Sequence, residues 1–194
     1  MKNLEEIFAG NQLWSEKLLQ LDPSLLKKLN QQQQPEYLWI GCCDSRVPPE
    51  LITNTAPGTM LVHRNIANQV LPDDLSLNAI LQFGLHILKI RKIIVSGHTN
   101  CGGVHTAIKD NVDGNMASWL RSLKNIYSGN KAQLEQEKDD EKKVNLLCAL
   151  NVKEQIHNLK QHDIVRTIET EGESVSVYGL IYDMKSGQLK KLDS

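Results

Sequence analysis

Over residues 3–20, Leu4, Ile7, Phe8, Leu13, Trp14, Leu18 and Leu19 recur near helical spacing with charged and polar positions between them. That period predicts an amphipathic helix. Asp22-Pro23-Ser24 then restarts a short helix, proline being tolerated in a first turn. The Gln31–Gln34 run with Pro35 reads as a polar joint. Beyond it the pattern changes: Tyr37–Cys42 is a short apolar run of strand type, Val47-Pro48-Pro49-Glu50 can start one helical turn, and Thr59–Arg64 reads as a second strand. Leu75–Ile90 returns to the helical period, and the basic stretch at Lys89–Lys92 suits the end of a helix dipole. Lys92–Gly97 is β-branched and continuous, as a strand covered on both faces should be. Strand, crossover helix and strand together predict an α/β core.

From Val104 to Gln161 the chain reads as mainly helical, broken near Asp113-Gly114-Asn115 and Ser128-Gly129-Asn130, with Glu135–Lys143 a solvated mixed-charge face. Ser174–Tyr182 alternates like a final strand, and Lys185-Ser186-Gly187-Gln188 turns it toward Leu189–Leu192. The expected architecture is α/β: a mainly parallel central sheet of four strands plus an edge strand, flanked by helices, with an N-terminal helical arm. Residues 1–34 form the arm and 35–194 a single α/β domain. The apolar face of the arm must be covered, either by its own domain or by a partner subunit.

Composition narrows the function classes. With 40% hydrophobic content in 194 residues the chain can bury a full core. Its 22 basic and 23 acidic residues nearly cancel, which argues against nucleic acid or a membrane surface as the main partner. No window reaches the length of a membrane span, since polar residues interrupt even Leu75–Val95. Met1-Lys2-Asn3-Leu4-Glu5-Glu6 carries acids where a signal peptide needs a basic and then an apolar run, so a cytoplasmic protein is expected. Four cysteines in such a protein are not a disulfide framework. Cys43 faces away from Cys42 on a strand and is assigned to packing, as is Cys148 in its apolar helical stretch.

The chemistry lies in two separated motifs, Trp39-Ile40-Gly41-Cys42-Cys43-Asp44-Ser45-Arg46 and His98-Thr99-Asn100-Cys101-Gly102-Gly103. Cys42, His98 and Cys101 supply two thiolates and an imidazole, ligands that Zn²⁺ favours, and three protein ligands leave a fourth position open. The blander readings are a buried histidine and cysteines without metal, or a zinc that only ties two loops together. Asp44 and Arg46 follow Cys42 at strand spacing, so a carboxylate and a guanidinium can stand beside the metal. Arg46 would keep Asp44 ionised and oriented, and Asp44 could accept a proton from bound water or itself ligate the metal.

Cys42-x-Asp44-x-Arg46 followed by His98-x-x-Cys101-Gly102-Gly103 resembles the zinc site of the β-class carbonic anhydrases, and the similarity extends over His63-Arg64-Asn65-Ile66-Ala67-Asn68 and most of residues 35–184. The resemblance implies reversible hydration of CO2 to bicarbonate by a zinc-bound hydroxide that Asp44 and Arg46 orient, with one Zn²⁺ per subunit. It implies self-association as a dimer or a dimer of dimers, with the arm lying across a partner. Val47, Ile66, Phe83 and Leu88 become candidates for the apolar CO2 pocket, with Gln33 entering from the other subunit. In a bicarbonate-regulated subgroup the residue matching Asp44 closes on the zinc, and a second bicarbonate sits among residues matching Trp39, Arg64 and Tyr182; Leu180 stands where the family often has tryptophan. The alternatives are hydrolysis of CS2 or COS at the same zinc site, or a non-catalytic zinc- or bicarbonate-sensing protein.

Overall fold

The structure, a computed structural model, describes residues 3–193. The leader reading at Met1 and Lys2 lies outside them. Contacts divide the chain into two compact units, Met1–Gln34 and Pro35–Ser194.

In the first unit, α1 (Leu4–Leu21) begins with a reciprocal cap: Glu6 N donates to Asn3 Oδ1 at 2.9 Å and Asn3 N donates to Glu6 Oε2 at 2.8 Å. These bonds satisfy two amides that the helix leaves unpaired. Asp22 ends α1 and accepts from Ser24 N, after which α2 (Leu25–Leu29) follows. Ile7, Phe8, Leu13 and Trp14 are all exposed.

The second unit runs β1 (Tyr37–Cys42), α3 (Pro49–Thr53), β2 (Met60–Asn65), α4 (Leu75–Gln82), β3 (Lys92–His98), α5 (Gly102–Lys109), α6 (Gly114–Trp119), α7 (Arg121–Gly129), α8 (Lys131–Gln136), α9 (Asp140–Gln161), α10 (Asp163–Thr170), β4 (Ser176–Asp183) and β5 (Gln188–Lys191). The sheet order is β2-β1-β3-β4-β5, parallel except for the antiparallel β5. Four parallel strands and one edge strand are as expected. Leu38, Ile40, Ile93, Val95 and Ile181 meet Leu123, Leu147, Val152 and Leu159 of the helices in one apolar core. Burial of this kind contributes about 1.5–3 kcal/mol for each large side chain. No helix among the described residues is long and apolar enough to cross a membrane.

The chain leaves β1 for β2 on one side of the sheet and returns to β3 on the other. Ligands in open α/β sheets gather at the carboxyl ends of strands flanking such a reversal. Cys42 ends β1 and His98 ends β3.

Three expectations change. The helix expected over Leu75–Ile90 stops as an α-helix at Gln82 and widens into a π-helical turn at Phe83–Ile87, closed by Leu88 N donating to Phe83 O at 3.0 Å. Gly84 lies in this turn, where a Cβ would stand 3.1 Å from Leu61 Cδ2, so the widened turn sits tight on β2. The run Glu135–Lys143 contains a helix break, with Asp139 accepting from Lys142 N to start α9. Helix α10 was not anticipated past Gln161, although Ile164, Val165 and Ile168 carry helical spacing.

Candidate metal centre

Strand β1 delivers Cys42, strand β3 delivers His98, and the turn into α5 delivers Cys101. Their ligand atoms all lie within 4.8 Å of one another, and all three residues are buried. The turn between His98 and Cys101 is tight because Asn100 adopts a left-handed conformation (φ 54°), which asparagine tolerates better than most residues. This is the signal, an asparagine inside the ligand turn, that spacing alone leaves unread.

The donor set fits a metal ion. His98 Nδ1 faces Thr99 O at 2.9 Å, which fixes that nitrogen as the donor. His98 Nε2, fully buried, has no protein partner among the described residues. The Cys42 and Cys101 sulfurs stand 3.9 Å apart. The Cys101 thiol, with His98 and the N–H groups of Asp44 and Ala67, lowers the Cys42 pKa, whereas the neighbouring Cys42 sulfur and burial raise that of Cys101. Two thiolates this close repel each other unless a cation lies between them. An orphaned imidazole nitrogen and two such sulfurs are the nitrogen and sulfur donors that zinc prefers.

Asp44 stands at the rim. Arg46 grips it with a fork, Nε to Oδ1 at 2.9 Å and Nη2 to Oδ2 at 2.7 Å, and Arg46 N adds a third bond at 3.0 Å. These bonds hold the Asp44 carboxyl well below the usual carboxylate range. Its Oδ2 is also 3.7 Å from His98 Nε2, so the carboxylate lies at the ligand cluster while bound to the arginine. Arg46 Nη2 reaches on to Asn100 O at 3.4 Å and links the two motifs.

The remaining candidates divide. Register places Trp39, Arg64 and Tyr182 on one face of the sheet, since Gly41 opposes Arg64 and Ser96, and His98 opposes Tyr182. The Trp39 indole lies over Gly41, where a Cβ would collide with it, and is 2% exposed. Arg64 donates from Nε to Cys42 O at 2.9 Å and from Nη2 to Asp44 O at 2.5 Å. Val47 is buried and its N–H donates to Asp44 O, while Ile66 packs against Gly103 beside Cys101. Among the described residues no hydrogen bond ties Phe83 or Leu88 to the three ligands; they are joined to each other in the turn after α4. Gln33 belongs to the arm unit and is exposed. Cys43, expected in packing, is instead exposed, since β1 ends at Cys42; Cys148 is buried as expected, its thiol pushed up to about 12 by burial.

Residues 37–189 match the family described as carbonic anhydrase. The carbonic anhydrase of Emericella nidulans is 36% identical over 189 residues, covering 97% of this chain and 83% of that protein. Among solved structures, a tetrameric β-carbonic anhydrase of Sordaria macrospora superposes with a TM-score of 0.93 at 33% identity, covering 98% of this chain and 96% of that one. The Coccomyxa β-carbonic anhydrase in complex with acetazolamide gives 0.94 at 31% identity, covering 99% and 87%. A mostly parallel five-stranded sheet carrying cysteine, histidine and cysteine at its carboxyl edge, together with these likenesses over nearly the whole length, assigns the chain to the β-class carbonic anhydrase family.

Proposed function

We propose that this protein hydrates CO2 reversibly to bicarbonate and a proton, with Cys42, His98 and Cys101 holding one zinc per subunit and Asp44 and Arg46 as the catalytic pair. The observation that carries the reading is the Asp44–Arg46 fork set against the orphaned His98 Nε2 and the two sulfurs. A zinc ion held there would supply the Lewis acidity that makes water nucleophilic, weakened by two thiolates relative to a three-histidine site. Asp44 accepts the hydrogen bond of the attacking oxygen and so aims its lone pair at the CO2 carbon. Arg46 fixes the direction in which Asp44 points. With its pKa depressed, Asp44 stays ionised near neutral pH and does not retain the released proton, which passes on to solvent or buffer. Val47 and Ile66, joined by Phe83 and Leu88, give CO2 an apolar wall, and Gln33 of a second subunit adds a polar amide at its edge.

The exposed apolar residues of α1 support an arm that lies across a second subunit, in a dimer or a dimer of dimers. The relative from Sordaria macrospora is described as tetrameric. Four free cysteines suit a cytoplasmic setting. The shared face of Trp39, Arg64 and Tyr182 supports a second, inhibitory bicarbonate site, and the 3.7 Å approach of Asp44 to His98 supports a closed state with Asp44 as fourth ligand.

The test is stopped-flow CO2 hydration from neutral to alkaline pH, repeated with added bicarbonate. The expected rate climbs on the alkaline side and is suppressed further by bicarbonate at the acid end. A flat profile contradicts the metal-activated water, and a rate indifferent to bicarbonate removes the Trp39–Arg64–Tyr182 site.

A further inference from the structure

Helix α9 touches both halves of the metal centre through asparagine side chains. Asn145 Oδ1 accepts from the N–H of Asn100 at 2.8 Å. Asn100 is the left-handed residue between His98 and Cys101. Six residues along the helix, about 9 Å by helical rise, Asn151 Nδ2 donates to Ala67 O at 2.9 Å. Ala67 is left-handed too (φ 60°, ψ 31°), as is Asn68 (φ 46°).

The corner at Ala67 is costly. Left-handed backbone disfavours any residue with a Cβ, and alanine has no side-chain hydrogen bond to offset it. Such conformations persist where the surroundings over-determine them, and here they do. Ala67 O takes a second donor, Gln69 Nε2, at 2.9 Å; Asn151 Oδ1 accepts from Gln69 Nε2 and Gln155 Nε2; and Gln155 Oε1 accepts from Val70 N. Asn151 and Gln155 are at most 1% exposed. The corner presses against Gly103, where a Cβ would lie 3.2 Å from Ala67 Cβ, and its Ala67 N–H faces the Cys42 sulfur.

We propose that Asn145 and Asn151 of α9 are positioning residues that clamp the two left-handed corners, at Asn100 and Ala67, and thereby set the spacing of Cys42, His98 and Cys101 around the metal. This rests on the metal-centre reading above. Neither asparagine hydrogen-bonds a ligand atom; Asn145 acts through the backbone that joins His98 to Cys101, and Asn151 through that of Ala67. Outer partners of metal ligands typically contribute about 10–100-fold in affinity.

The test loads the full chain with cobalt(II) as probe and reads two quantities, the thiolate-to-cobalt charge-transfer absorption and the affinity by competition with a chelator. Asn145→Ala is expected to weaken cobalt binding by about tenfold and to shift the absorption. Asn145→Asp keeps the acceptor for Asn100 N and is expected to restore both. Asn151→Ala, where it folds, is expected to act in the same direction; half-exposed Asn145 keeps the test open where it does not. Folded Asn145→Ala and Asn151→Ala proteins with wild-type absorption and affinity would overturn the clamp, as would a loss of melting temperature with both quantities unchanged. A wild-type chain that takes no cobalt would overturn the metal-centre reading and this inference with it.

Discussion

In the proposed mechanism Asp44 is the side chain whose removal separates chemistry from metal binding by the three ligands. Its carboxylate is committed to Arg46 by a two-point fork and not to the buried sulfurs, so removing its charge should leave the three ligands in place. Asp44→Asn is therefore expected to retain zinc, measured by metal analysis, and to lose roughly 10²-fold or more in CO2 hydration at saturating substrate, the range usual when an attacking group loses its orientation. Unchanged turnover would take Asp44 out of the mechanism. Because Arg46 holds the Asp44 carboxyl well below the usual carboxylate range, a decline of activity toward acid is not protonation of Asp44.

At the scale of elements, the start of α5 packs Cys101 and its neighbours against the turn after β2. Gly102 and Gly103 look equivalent in the sequence, but a Cβ at 103 would stand 2.8 Å from Ile66 Cγ2 whereas one at 102 meets nothing within 4 Å. Gly103→Ala should destabilise by about 1–2 kcal/mol, overpacking outweighing the gain in helix propensity. Gly102→Ala should stabilise by about 0.5 kcal/mol through the unfolded chain. Urea midpoints read the pair, and shifts of the same sign would refute this packing. The strands that carry Cys42 and His98 were legible because continuous apolar runs and ligand spacing are local signals. So was the order of the ligands on those strands. The π-helical turn after α4 was not, since nothing in residues 83–87 announces it and the close approach of Gly84 to Leu61 is a contact distant in sequence. Nor was the left-handed Ala67, which local preference opposes and which Asn151, distant in sequence, sustains. Helix α10 carries its signal in Ile164, Val165 and Ile168, apolar positions at helical spacing.

For the whole molecule, Ile7, Phe8, Leu13 and Trp14 on α1 present apolar surface that a folded chain in water normally covers. A second subunit is the proposed cover. Light scattering should then give the wild type a mass of two or four chains, and the double variant Phe8→Ser, Trp14→Ser a smaller assembly with its circular dichroism retained. An unchanged mass would remove the arm from the interface. The central claim, that this sheet edge hydrates CO2 through a metal held by Cys42, His98 and Cys101, is tested most directly by stopped-flow CO2 hydration on one preparation, first as purified with zinc, then stripped with a chelator, then resupplied. The account predicts that catalysis disappears with the metal and returns as one equivalent of zinc per chain is restored. Turnover that survives complete removal of the metal, or none when all three ligands are shown to hold zinc, would contradict it.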